Sequence, residues 1–267
     1  MASEVTCFFS DLADFTALSE QHLDPATTRS VLNPYLETMS AVLNARSALI
    51  NKFMGDGIFA FFNSPVYPCR GHARQACEAA IDSQRALREL IDRRRGSPLA
   101  GVFGQLRMRI GIASGPVYVG DYGSQNKLDY TCMGDTVNLA ARLEPANKVF
   151  GTSILVSGPT REAAGDGLVF RRLGSLQVKG KKIAVPVYEL LGRSADVPAE
   201  AIEYADRFGA AVDLFQSRRW EEAGRAFASL LEHRDDRAAR RYAELAAGYR
   251  IAPPPDNWNG AIELTEK

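Results

Sequence analysis

The chain has no apolar run long enough to cross a bilayer and no recognisable export signal, which points away from a membrane-spanning or secreted reading. It has no excess of either charge, with 32 Lys and Arg against 32 Asp and Glu, so nothing global draws it to nucleic acid or to a membrane surface. The basic run Arg93-Arg94-Arg95 reads as a solvated helix end. Its four cysteines (Cys7, Cys69, Cys77, Cys132) form no Cys-x-x-Cys pair and read as reduced packing thiols of a cytoplasmic protein. The three histidines, His22, His72 and His233, show no metal-ligand spacing and are expected at the surface. Neither a Walker loop nor a dinucleotide-binding glycine fingerprint occurs, which sets aside kinase, GTPase and Rossmann chemistry.

What is present is concentrated in three segments. Tyr130-Thr131-Cys132-Met133-Gly134-Asp135-Thr136 reads as a strand that turns through Gly134 into a helix, with Asp135 as its N-cap. Asn138 and Arg142 then stand one helical turn apart on one face, and an amide with a guanidinium near a helix start suits phosphate. Phe8-Phe9-Ser10-Asp11-Leu12 reads as a buried strand ending in a carboxylate, followed by a loop into a helix. Ile50 to Phe62 reads as two apolar strands joined by a tight Met54-Gly55-Asp56-Gly57 turn. Asp11 and Asp56 thus both sit at chain reversals, where two carboxylates can meet and offer hard oxygen ligands for Mg²⁺ or Mn²⁺. Each aspartate alone reads as a turn or cap residue; together with the Asn138/Arg142 helix they read as a site.

In this order the three segments resemble the catalytic domain of class III nucleotidyl cyclases, specifically adenylate cyclases, over roughly residues 4 to 192. The resemblance implies that Asp11 and Asp56, with the Leu12 carbonyl, hold two Mg²⁺ or Mn²⁺ per active site. It implies that the backbone amides of Ala13, Asp14, Phe15 and Thr16 cradle the β- and γ-phosphates, and that Lys179 neutralises polyphosphate charge. Asn138 and Arg142 match the catalytic pair that positions the ribose and stabilises the α-phosphate, and Lys52 and Thr131 match the pair that reads the base. Asp14 is an oddity beside a triphosphate, and a helix-capping role is its expected explanation.

Adenine presents an acceptor at N1 and a donor at N6, which Lys52 and the Thr131 hydroxyl can meet. Guanine reverses the pattern, and guanylate-type members of the family carry an acidic residue where Lys52 stands, so ATP is the expected substrate. Many adenylate cyclases have Asp at the Thr131 position. Threonine there resembles a bicarbonate-stimulated subset, which makes bicarbonate a hypothetical activator.

The expected product is 3′,5′-cyclic AMP, with pyrophosphate leaving after in-line attack of the ribose 3′-oxygen. In the family, sites are shared across a head-to-tail homodimer, with Asp11 and Asp56 from one copy and Lys52, Thr131, Asn138, Arg142 and Lys179 from the other. This chain carries both sets, so a homodimer with two sites is expected. The rival readings are a catalytically silent nucleotide-binding or dimerisation module of the same fold, and a diguanylate cyclase. The latter carries a GGDEF-like signature where this chain reads Met-Gly-Asp-Gly.

The expected fold is α+β, ferredoxin-like (βαββαβ), with a C-terminal helical appendage. Strands are expected near 4–11, 48–53, 57–63, 106–113, 116–121, 127–132, 153–156, 168–178 and 185–191. Helices are expected near 15–44 with a break at Pro25, then 69–95, 135–147 and 159–164. Residues 1–192 read as the catalytic domain, 193–200 as a linker, and 201–267 as two to three tetratricopeptide-like helices with an extended tail from Pro253 carrying Trp258. One such helix pair cannot bury its own apolar face, so packing against the preceding domain is expected. With the first strand starting almost at Met1, the sequence reads either as a catalytic fragment of a longer, membrane-anchored protein or as a short natural form.

Overall fold

The computed structural model describes residues 1–124, 126–177 and 184–263, and the chain divides into two compact units, Met1–Glu144 and Pro145–Lys267. The first unit contains β1 (Ala2–Leu12), α1 (Phe15–His22), α2 (Pro25–Ala45), β2 (Leu49–Met54), β3 (Gly57–Phe62), α3 (His72–Arg93), α4 (Ala100–Phe103), β4 (Met108–Ser124) and β5 (Lys127–Met133). The boundary between the units falls within α5 (Asp135–Phe150). The second unit holds β6 (Ile154–Ser157), α6 (Gly158–Ala164), β7 (Leu168–Gln177), β8 (Val185–Arg193), α7 (Ala199–Gln216), α8 (Trp220–Leu231), α9 (Arg237–Ile251) and β9 (Ala261–Glu263).

In the first unit the strands run β2-β3-β1-β4, all antiparallel, which is the sheet order of the βαββαβ plan; β5 pairs with the far end of β4. The break at Pro25 has a local cause. Asp24 caps α2 by accepting from the amides of Ala26 and Thr27, and Pro25 opens the helix where its missing N–H costs nothing. Along α2, Val31, Tyr35, Met39 and Leu43 recur every four residues and form its buried stripe. Helices α2 and α3 pack together against one face of the sheet. On the other face Val5, Cys7, Phe59, Phe61 and Ala113 pack with Val117, Val119 and Cys132 of the β4–β5 hairpin and Ala140 of α5. With both faces covered, β3 is buried along its whole length.

Two separate strands were expected over 106–113 and 116–121, but β4 is continuous through Gly115-Pro116. Those residues pair in register with Val5 and Glu4 of β1, so the long-range ladder overrides the local turn signal. The strand passes close beneath the start of α5, where a Cβ on Gly115 would come within 2.8 Å of Thr136 Oγ1.

In the second unit the order is β6-β8-β7-β9, with β9 parallel to β7. Three helices follow β8; α7 packs against β7, and α8 and α9 pack on α7. Arg172 pairs with Asp213 of α7, and the Tyr242 hydroxyl of α9 donates to the Leu173 carbonyl. The tail from Pro253 is anchored by Arg218, which donates to the Pro255 and Asp256 carbonyls and lies over the Trp258 ring. Trp258 in turn packs with Phe215, Trp220 and Tyr249. No helix among the described residues is long and apolar enough to cross a membrane.

Candidate active site

The end of β1 and the β2–β3 turn meet. Gly55 takes a left-handed φ of 68°, which lets the hairpin reverse in two residues and sets Asp56 at its tip. Asp56 Oδ2 accepts from the Leu12 amide at 3.2 Å. Gly57 permits this approach, since a Cβ there would lie 3.3 Å from the Ser10 carbonyl and 3.5 Å from Asp11 Oδ1. Burial, a hydrogen bond to Asp56 and the charges of Asp56 and Glu144 push the Asp11 carboxyl up to about 7, against the pull of Arg109. Arg109 lies 3.9 Å from Asp11 Oδ2 and donates to Glu144 Oε1 at 2.9 Å. Burial raises the Glu144 carboxyl, and Arg109 opposes that rise.

Among the described residues no cluster of three or more His, Cys, Asp or Glu could enclose a metal. Two close carboxyls beside a strand-end carbonyl nevertheless fit a hard divalent cation, which commonly takes one or two carboxylates and completes its shell with water and substrate phosphates. Asp11, Asp56 and the Leu12 carbonyl therefore have the chemistry to hold Mg²⁺ or Mn²⁺.

The loop after β1 turns at once into α1. The Ala13 amide donates to the Arg107 carbonyl at 2.7 Å, and Phe15 and Thr16 open the helix. Asp14 stands at the N-cap position with φ 57°, but its side chain makes no cap hydrogen bond, so the capping role expected for it falls to its backbone.

On α5, Asn138 and Arg142 are both exposed on one face, as their spacing predicts. The helix begins at Asp135, and the Gly134 carbonyl accepts from the Asn138 amide. Gly134 is therefore the cap, and Asp135 is a first-turn acid whose charge favours the helix N-terminus. The helix lies hard against β4: a Cβ on Gly111 would come within 2.3 Å of the Glu144 nitrogen and 2.4 Å of the Ala140 oxygen.

Lys52 is exposed on β2, whereas Thr131 is buried on β5. A residue the motif reading passed over joins their strands. Asn51 donates through Nδ2 to the Tyr130 carbonyl at 2.7 Å and accepts through Oδ1 from the Thr131 hydroxyl at 3.2 Å. The register of β2 on β3 shifts between Ile50 and Lys52, so Asn51 sits at an irregularity that re-aims its side chain. Only the slip from regular alternation could have marked it, and one-dimensional patterning does not display that.

Lys179 lies outside the described residues. His72, expected at the surface, is half-buried at the start of α3, with Nδ1 2.7 Å from Thr6 Oγ1, and burial lowers its pKa. His233 is exposed. All four cysteines are free and buried, with Cys7 and Cys132 facing each other at 4.0 Å between sulfurs.

Residues 1–192 match the adenylate and guanylate cyclase catalytic domain. Adenylate cyclase 1 of Rhizobium meliloti is 40% identical over 189 residues, covering 71% of this chain and 28% of that protein. Adenylate cyclase of Anabaena cylindrica is 30% identical over 189 residues, covering 70% of this chain and 36% of that protein. The chain thus spans little more than a third of these relatives at most. The crystal structure of the guanylyl cyclase Cya2 superposes with a TM-score of 0.66 at 33% identity, covering 73% of this chain and 95% of that one. The adenylyl cyclase CyaB from P. aeruginosa superposes at 0.64 and 32% identity, covering 74% and 98%. With that match over most of its length, on a sheet of βαββαβ order with two carboxyls meeting at the β1 end, the chain belongs to the adenylate and guanylate cyclase catalytic domain family.

Proposed function

We propose that this protein is an adenylate cyclase, converting ATP to 3′,5′-cyclic AMP and pyrophosphate. The observation that carries the reading is the meeting of the Asp11 and Asp56 carboxyls at the end of β1, a pair of acidic groups suited to a cation. Two Mg²⁺ or Mn²⁺ held by Asp11, Asp56 and the Leu12 carbonyl would, when bound, lower the pKa of the ribose hydroxyl and neutralise the triphosphate. Asn138 positions the ribose so that its 3′-oxygen attacks the α-phosphorus in line, and Arg142 stabilises the charge that develops there. Amides at the Ala13 to Thr16 turn and Lys179 hold the departing pyrophosphate. Lys52 donates to adenine N1 and Thr131 accepts from its 6-amino group.

The reading includes a head-to-tail homodimer in which the carboxylate pair of one copy faces Lys52, Thr131, Asn138, Arg142 and Lys179 of the other. It is supported by large apolar side chains left exposed on the same unit: Phe53, Met54, Tyr118, Leu128 and Met133. Within the chain, 1–192 form the catalytic domain, 193–200 a linker and 201–267 a helical appendage. A cytoplasmic setting fits four free thiols. Stimulation by bicarbonate rests on Thr131 alone, and unchanged turnover across bicarbonate concentrations at fixed pH removes it.

The test is cyclic nucleotide production from ATP and GTP with Mn²⁺ or Mg²⁺, wild type beside Asp56→Ala. Cyclic AMP from wild type alone supports the reaction and the carboxylate role. Cyclic GMP as the main product overturns the base assignment. Nucleotide binding without product moves the protein to a silent module.

A further inference from the structure

Counted through the hydrogen-bonded neighbours β2, β3, β1, β4 and β5, the strands carrying Lys52 and Thr131 are four spacings apart. Neighbouring strands lie about 4.8 Å apart, so in a flat sheet β2 and β5 would stand roughly 19 Å from each other. They touch because the β4–β5 hairpin folds back over the sheet face, burying Val119 and Cys132 against Cys7 and Phe61. Asn51 is the polar tie at that closure.

The direction of each hydrogen bond there is forced by chemistry. The Tyr130 carbonyl can only accept, so the Asn51 nitrogen faces it. The amide oxygen is thereby turned to Thr131 Oγ1, and an amide oxygen also only accepts. Thr131 must give its single proton to Asn51. What remains on its hydroxyl toward any ligand is lone-pair density.

We propose that Asn51 is a specificity-positioning residue: by holding the Thr131 proton it makes that hydroxyl an obligate acceptor, which selects a base with an amino group at C6 over one with a carbonyl there. Left to rotate, a threonine hydroxyl could donate to guanine O6 as readily as it accepts from adenine N6. Asn51 removes that freedom. The inference rests on Lys52 and Thr131 being the base-reading pair, and it adds that Thr131 reads the base only in company with Asn51.

The experiment compares kcat and KM for ATP and GTP in wild type, Asn51→Ala, Thr131→Val and the double variant, with thermal melting of each. Asn51→Ala is expected to lower the ATP-over-GTP ratio of kcat/KM by roughly tenfold, chiefly through KM, because the acceptor is lost and the hydroxyl freed. In the Thr131→Val background, removing Asn51 should change the ratio no further. Equal loss on ATP and GTP in Asn51→Ala, or a further drop in the double variant, would each overturn the proposal in favour of a purely structural tie. If Asn51→Ala does not fold, Asn51→Ser, which also withdraws the amide acceptor, gives the same readout. Thr131→Val leaving the ratio unchanged refutes the base assignment itself. A ratio that falls with Thr131→Val and not with Asn51→Ala refutes only the role of Asn51.

Discussion

The Asp11 and Asp56 carboxyls meet at the end of β1, and burial together with the nearness of Asp56 pushes the Asp11 pKa up to about 7. A carboxyl whose folded pKa stands above its ordinary value stabilises the fold at low pH, and that contribution is lost as the pH rises through the folded value. The metal-free protein should therefore lose stability between about pH 4 and about pH 7, and Mn²⁺ should raise its Tm more at the upper end than at the lower. Equal Mn²⁺ shifts at both ends would place the cation elsewhere.

Asp56→Asn follows from the same contact. It removes one of two like charges yet keeps an oxygen for the Leu12 amide. In the absence of metal it should be more stable than wild type by about 1 kcal/mol, or about 2–4 °C in Tm, while cyclic nucleotide production is abolished. A variant both less stable and less active would mean that the carboxylate pair is a structural contact.

Gly111→Ala tests whether the place of α5 matters to the reaction. A methyl at Gly111 must push the helix bearing Asn138 and Arg142 off β4, because the atoms it meets are backbone. Turnover should fall about a hundredfold, with a stability loss of about 1–3 kcal/mol. Gly120→Ala on the same strand meets nothing within 4 Å and is the control.

The sequence made most of this site legible because its parts are local. Asp56 is fixed by the Gly55 turn, Asn138 and Arg142 by helical spacing, and Asp11 by the end of an apolar strand. Where long-range contacts decide, local chemistry misleads. Gly115-Pro116 looks like a turn until the whole of β1 is laid beside it. His72 looks like a surface residue until Thr6 is found against it. Asn51 gains its place only when the β4–β5 hairpin returns over the sheet, and β9 is a three-residue strand with no pattern of its own. The domain limits of 1–192 and 201–267 follow composition, whereas compactness divides the chain within α5.

The second unit offers a stability test. Arg171, almost fully buried, bridges Glu189 of β8 and Asp236, the N-cap of α9, and lies over the Phe208 ring. Burial raises the Glu189 carboxyl against the pull of Arg171; Asp236, though also buried, is held below its usual range by Arg171 and the Ala239 amide. Arg171→Met removes the bridging cation from two buried acids and should cost about 3–5 kcal/mol in urea unfolding. A loss under about 1 kcal/mol would mean that water reaches these carboxylates.

Shared sites make the sharpest demand on the assembly. Asp56→Ala removes the cation end and Asn138→Ala the ribose end, so each homodimer of either variant has two broken sites. Mixed after subunit exchange, random pairing makes about half the dimers hybrid, and in each hybrid both lesions fall in one site and leave the other whole. Activity should return to about one quarter of wild type, a level that neither variant reaches alone. If each chain carried a complete site, both lesions would act within their own chain and mixing would restore nothing. The distinction needs only equal amounts of the two proteins and a cyclic AMP assay before and after exchange.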